Sequence, residues 1–151
     1  MDIEIRPATA QDASALTEVA LAAKRFWGYP EEYIRLWQED LTITPDTIDR
    51  FAIYCALHEH TILGFYALGD LGSGYELEHM WVRPEHIGRG LGRQLLNHAT
   101  AVARGAGAEA LRIVADPNAV GFYHRAGATK VGEMASVPAG RMLPVLRLPL
   151  S

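Results

Sequence analysis

Cysteine occurs once in the 151 residues, at Cys55, so no intrachain disulfide can form. Cys55 lies in the apolar run FAIYCAL with no neighbouring base, which predicts a buried small hydrophobe and not a nucleophile. Long apolar runs are missing too: none approaches the ~20 residues of a membrane span. Basic residues are not in excess, with 14 Lys and Arg against 18 Asp and Glu and a net charge of -4. A nucleic-acid binder needs a basic face to neutralise phosphates, so no nucleic-acid partner is expected. Repeats, low-complexity tracts and long linkers are absent, and the length suits one domain over 1–151. The opening MDIEIRPATAQD is acidic and lacks the basic-then-apolar layout of a signal peptide. A cytoplasmic protein with no membrane partner is expected.

What is present is a regular alternation of elements. DIEIRP alternates apolar and charged residues as a half-buried strand. Thr9 and Asp12 have the spacing of a capping box before the helical stripe Leu16, Val19, Ala20 and Ala23. EEYIRLWQEDL predicts a second helix, and TPDTIDR a turn or short helical step. RFAIYCALHEHTILGFYALGD reads as a hairpin with His58-Glu59-His60 at its tip. YELEHMWVRP is a strand closed by Pro84, and Leu91, Leu95, Leu96, Ala99, Val102 and Ala103 form the stripe of a long helix. ALRIVA, the short helix in DPNAVGFYHRAGA ending near Gly127, TKVGE and GRMLPVLRLPL complete the chain. Pro144 and Pro149 predict that the last strand is irregular or lies at an edge, where two copies could pair as a homodimer. The order β-α-α-β-β-β-α-β-α-β-β is that of an α/β (α+β) fold with a mixed central sheet flanked by helices.

The most informative stretch is HMWVRPEHIGRGLGRQLL, which places Gly88, Gly90 and Gly92 between a strand and a helix. A helix N-terminus offers unpaired N–H groups and a positive dipole end, and glycines let a ligand come close. Arg89 and Arg93 add charge-assisted donors for an anion. A P-loop is excluded because no Gly-Lys pair is followed by Ser or Thr. A dinucleotide fingerprint is disfavoured because the third glycine comes one residue early and several strands precede the loop.

VRPEHIGRGLGRQLL, preceded by ELEHMW and followed by DPNAVGFYHRAGATKVGE, resembles the acyl-CoA-binding half of the GNAT N-acetyltransferases. The family's pyrophosphate loop, Gln/Arg-x-x-Gly-x-Gly/Ala, matches Ile87-Gly88-Arg89-Gly90-Leu91-Gly92, and its strand signature V-x-P matches Val82-Arg83-Pro84. Ile87 departs from the pattern by removing one polar side chain. The resemblance is specific from about Glu76 to Glu133 and holds only in layout over the first third. It implies acetyl-CoA as cosubstrate, bordered by Met80, Trp81 and Val82 on the strand, residues 87–93 in the loop, and Asn118, Phe122 and Tyr123 beyond it. It also implies direct acyl transfer to an amine in a ternary complex.

Such a transfer needs a proton acceptor, because an alkyl amine with pKa near ~10.4 is mostly protonated at neutral pH. It also needs donors for the carbonyl oxygen and a proton for the departing thiolate. Period two puts Glu76, Glu78, Met80 and Val82 on one strand face and His79 on the other. Glu78 is the candidate base, with Glu76 or a water chain as alternatives; His79 is expected to be a hydrogen-bonded histidine without a catalytic part. By resemblance the Val82 N–H serves the carbonyl, Tyr123 is the general acid, and Asn118 binds the pantetheine arm. Trp27, Tyr29, Tyr33 and Glu76 are expected to border an acceptor pocket for a cationic amine, from a small molecule or a peptide. His58-Glu59-His60 supplies too few ligands for zinc, and no metal is expected. A non-catalytic acyl-CoA-binding domain of the same fold, or a partner-binding domain without ligand, are the competing functions.

Overall fold

The computed structural model describes residues 2–150. β1 (Glu4–Pro7) runs through a 3-10 turn into α1 (Ala13–Phe26), followed by α2 (Glu31–Leu41). Asp12 ties this junction together: its carboxylate accepts from the Thr9 N–H at 2.7 Å and pairs with Arg6 at 2.8 Å. TPDTIDR forms a third helix, α3 (Pro45–Arg50), which adds one element to the expected order. Thr44 Oγ1 caps it by accepting from the Thr47 N–H at 3.2 Å, and Pro45 occupies the position where a missing N–H costs nothing.

β2 (Ala52–His58), β3 (Thr61–Asp70) and β4 (Tyr75–Val82) form an antiparallel meander with β1. Glu59 and His60, both at positive φ, make the two-residue turn between β2 and β3 that suits the strands' twist. α4 (Leu91–Gly105) crosses over to β5 (Ala110–Val114), which lies parallel to β4. α5 (Val120–Arg125), β6 (Thr129–Ala135) and β7 (Met142–Pro149) follow, and the sheet order is β1-β2-β3-β4-β5-β7-β6.

The sheet separates two cores. On one face α1 and α2 bury Leu16, Val19, Ile34 and Trp37 against Cys55, Phe65 and Ala67. On the other, the α4 stripe of Leu91, Leu95, Leu96 and Ala99 packs on Tyr66, Leu68, Leu111 and Ile113. β3 is buried from Ile62 to Gly69 because both faces are covered. Burying one such large apolar side chain contributes roughly 1.5–3 kcal/mol, so the two layers outweigh any single polar contact.

The last strand is not at an edge. β7 lies between β5 and β6, and the edges are β1 and β6. The prolines fit because they meet places where the ladder asks for no donor. Pro149 ends the strand, and Pro144, opposite the end of β5, contributes its carbonyl to the Ala115 N–H at 3.0 Å. A homodimer built on an exposed β7 edge is thereby excluded. Among the described residues no helix is long and apolar enough to cross a membrane.

Candidate active site

β4 and β5 begin as partners and then part. Their pairing covers only Tyr75–Leu77 against Leu111–Ile113; from Glu78 onward β4 has no neighbour on that side. Arg83 N–H bonds to Leu63 O on β3 at 2.8 Å. Backbone groups alternate sides along a strand, so the Val82 and Met80 N–H groups turn the other way, into the gap. The gap opens into a cavity of about 640 Å³, a size that suits a small-molecule ligand.

The glycine loop forms one rim. Gly88 and Gly90 have φ of +83° and +80°, in the left-handed region that strains other residues. Gly90 also caps α4, and with no side chain it leaves the first-turn N–H groups free for an anion. Gly92 is needed for another reason: a Cβ there would lie 3.3 Å from the Phe122 ring, where α4 meets α5. Gly88, Gly90, Leu91, Gly92 and Arg93 line the cavity, as does Ile87, which is 47% exposed. Arg89 is exposed and does not line it.

The face assignment on β4 needs correction. Ala67 pairs with His79 but Leu68 pairs with Leu77, so Glu78 is an extra residue in β4. This bulge breaks the alternation and puts two consecutive side chains on one side. Leu77, Met80 and Val82 pack on the α4 side. Glu76, Glu78, His79 and Trp81 lie on the α1–α2 side, so His79 shares a face with Glu78 and Met80 does not. Gly69 makes room for the bulge: a Cβ there would sit 2.9 Å from Glu78 Oε1. Glu76 accepts from Arg112 at 2.7 Å. Burial, with the charge of neighbouring Glu76, pushes the Glu78 carboxyl up to about 7, and Arg112 opposes this. A carboxyl with that value exchanges a proton near neutral pH.

Tyr123, on α5, is buried and lines the same cavity. Burial, reinforced by Asp116, raises its phenol above the ordinary value, so the group is a neutral donor and never a base. No described residue hydrogen-bonds its hydroxyl.

The sequence reading missed the polar cluster at the end of β5. Asp116 pairs with buried Lys24 of α1 at 2.5 Å and accepts from the Tyr29 hydroxyl at 3.0 Å. Asn118 Nδ2 donates to Asp116 Oδ1 at 2.9 Å, and Arg141 donates to the Tyr29 oxygen at 3.1 Å. Lys24 Nζ stands 4.5 Å from the centre of the Trp37 ring, and Arg141 Cζ 4.4 Å. Burial pulls the Lys24 ammonium down and the Asp116 carboxylate opposes it. Burial would raise Asp116, but its bonds to Lys24, Asn118 and Tyr29 hold it below the usual carboxylate range. The cluster therefore clasps α1, α2 and the β6–β7 loop to the open end of β5. Lys24 and Asp116 are 92 residues apart, and no spacing in the chain hints at their contact.

Of the four residues expected on the acceptor side, Trp27 alone lines the cavity, and it is exposed. Tyr29 belongs to the Asp116 clasp, Tyr33 packs edge-on against Trp37 with ring centres 5.8 Å apart, and Glu76 is held by Arg112. Cys55 is buried, and burial pushes its thiol up to about 12, away from any reactive range. Among the described residues no three His, Cys, Asp or Glu side chains converge as a metal site.

The model of the acetyltransferase (GNAT) family matches residues 15–128. A spermidine N(1)-acetyltransferase from Thermoplasma acidophilum is 28% identical over 144 residues, covering 84% of this chain and 88% of that protein. The crystal structure of a PaiA N-acetyltransferase from the same organism, in complex with coenzyme A, superposes with a TM-score of 0.81. It is 25% identical, and the match covers 99% of each chain. A GCN5-related N-acetyltransferase from Rhodopseudomonas palustris has a TM-score of 0.82 at 19% identity, over 99% of this chain and 96% of its own, a likeness of fold alone. With the parted strands, the glycine loop capping α4 and these matches together, the chain belongs to the GNAT family of acyl-CoA-dependent acetyltransferases.

Proposed function

We propose that this protein transfers the acetyl group of acetyl-CoA to a primary amine of a small cationic molecule, of which spermidine is the first to test. The observation that carries the reading is the meeting of Glu78, Tyr123 and the unpaired edge of β4 on one cavity beneath an anion-binding helix N-terminus. The PaiA relative's complex with coenzyme A supports the donor, and the spermidine N(1)-acetyltransferase relative supports the acceptor class. Glu78, on the α1–α2 side of the cavity, suits a cationic amine arriving from that face.

In the proposed complex the pyrophosphate sits on the N–H groups of the glycine loop and the first turn of α4, with Arg93 beside it. The pantetheine arm fills the gap between β4 and β5, flanked by Met80, Trp81, Val82, Phe122 and the free carbonyl of Asn118. The amine nitrogen attacks the thioester carbon, a C–N bond forms, and the carbonyl oxygen takes the displaced electron pair. Val82 N–H in the gap is its backbone donor. Glu78 accepts a proton from the amine, directly or through water. The C–S bond then breaks, Tyr123 hydrogen-bonds the departing sulfur, and one proton ends on the thiol. Neutral amine plus acetyl-CoA thus gives amide plus free CoA with no net proton change.

The test is thiol release from acetyl-CoA against a panel of spermidine, a simple alkylamine and a lysine peptide, for wild type, Glu78→Gln and Tyr123→Phe. Wild type is expected to turn over spermidine, with both variants slowed about 10²–10⁴-fold in kcat, the range for general acid–base groups. Stabilisation by acetyl-CoA without thiol release from any amine would favour the non-catalytic binding domain instead.

A further inference from the structure

The bulge brings a second functional group to the α1–α2 face beside Glu78. His79 lines the cavity, and its ring is held 6.0 Å from that of Phe65. Trp81 Nε1 lies 3.0 Å from His79 Nδ1. An indole nitrogen carries a proton and has no lone pair to accept with, so it is the donor and Nδ1 the acceptor. Nδ1 is then unprotonated. Burial pushes the imidazole down to about 4, which keeps the ring neutral. A neutral ring with a bare Nδ1 has its one proton on Nε2.

No described residue accepts from Nε2, and it is not among the polar side-chain atoms buried without a partner; His86 Nδ1 is the one such atom among the described residues. Nε2 is therefore open to solvent, on a residue that lines the cavity together with Glu78, Met80 and Trp81. In this tautomer Nε2–H has no lone pair and cannot take a proton from the amine. An ammonium offers it no acceptor, and the lone pair of a neutral amine is used in forming the C–N bond. The acceptors left in the reacting group are the carbonyl oxygen and the departing sulfur; with Tyr123 assigned to the sulfur, the oxygen is left to Nε2–H.

We propose that His79 Nε2–H donates a hydrogen bond to the carbonyl oxygen of the acyl group, alongside the backbone N–H of β4, and that Trp81 positions it by fixing the tautomer. This role rests on the acetyl-transfer reading above. No proton leaves His79. The C–N bond forms, the carbonyl electron pair moves to oxygen, and the Nε2–H bond tightens as charge develops there. It relaxes when the carbonyl reforms and the C–S bond breaks. A pre-aimed neutral donor is effective here because it does not have to reorganise as the charge develops. Glu78 and His79 then divide the work: one takes the proton from nitrogen, the other holds the charge on oxygen.

The test compares wild type, His79→Ala, His79→Gln and Trp81→Phe in spermidine turnover, with ¹⁵N NMR of the imidazoles in the intact wild type. The expected spectrum has His79 protonated on Nε2 and bare on Nδ1, with the Nε2–H resonance moving when acetyl-CoA is added. H79A is expected to lose about 10–100-fold in kcat, at or below the foot of the ~10²–10³-fold range for one oxyanion donor because the β4 N–H remains, with KM for acetyl-CoA little changed. H79Q, whose amide can donate, is expected to recover part of that loss, and W81F to fall between wild type and H79A. An Nδ1–H tautomer, or H79A turning over as fast as an active wild type, would overturn the role and leave acetyl transfer standing. A wild type inactive with every amine would overturn both.

Discussion

Glu78→Gln should make the protein more stable as it makes it less active, and the gain should depend on pH. The native carboxyl titrates near 7, against an ordinary value of 4.5. Below the ordinary value both folded and unfolded chains carry a protonated Glu78, and the shift has no effect on stability. As pH rises past 4.5 the unfolded chain ionises first, so stability falls until the folded group also ionises near 7; above that the penalty is constant. At about 1.36 kcal/mol per pH unit the ceiling is about 3 kcal/mol, and solvent reaching this half-open carboxyl reduces it to about 1–2 kcal/mol. Glutamine keeps the shape and never ionises. The variant should therefore match wild type near pH 4.5 and melt roughly 2–8 °C higher at pH 8, at about 2–4 °C per kcal/mol for a chain of this size. Thermal melts of both proteins from pH 4.5 to 9, without ligand, measure this. A difference independent of pH, or a less stable variant at pH 8, would refute the account of Glu78 as a carboxyl held in a desolvated bulge.

Three further outcomes are expected. Glu76→Gln removes the charge next to Glu78, so the acid limb of the kcat profile should move to lower pH; Arg112→Gln should move it higher. Lys24→Met leaves Asp116 with Arg141 at 3.7 Å as its remaining cation, and should cost about 2–4 kcal/mol in denaturant melts, just under the usual loss for breaking a buried pair. Gly90→Ala meets no steric obstacle, since nothing lies within 4 Å of the added Cβ, so it should cost only about 1–2 kcal/mol of left-handed backbone strain. The same variant should lose most of the stabilisation that acetyl-CoA confers, because the reoriented loop no longer aims its N–H groups.

Local features were legible along the chain. Apolar spacing marked α1 and α4, β-branched runs marked the β2–β3 hairpin, and Gly88, Gly90 and Gly92 after Val82-Arg83-Pro84 marked the loop, because each signal lies within a few residues of what it specifies. Features that depend on register were not. One extra residue in β4 opposite Ala67 and Leu68 moved Glu78 and His79 onto the same face, and period two carries no trace of a bulge. The place of β7 between β5 and β6 was hidden because Pro144 and Pro149 read as edge residues until their neighbours are known. The Lys24–Asp116–Arg141 clasp joins charges from three distant segments that each look solvated in sequence. The covalent order of residues thus carried the elements and the phosphate loop, which are short-range. Which side chains share the cavity, and which proton His79 keeps, follow from contacts made once the strands have paired and parted.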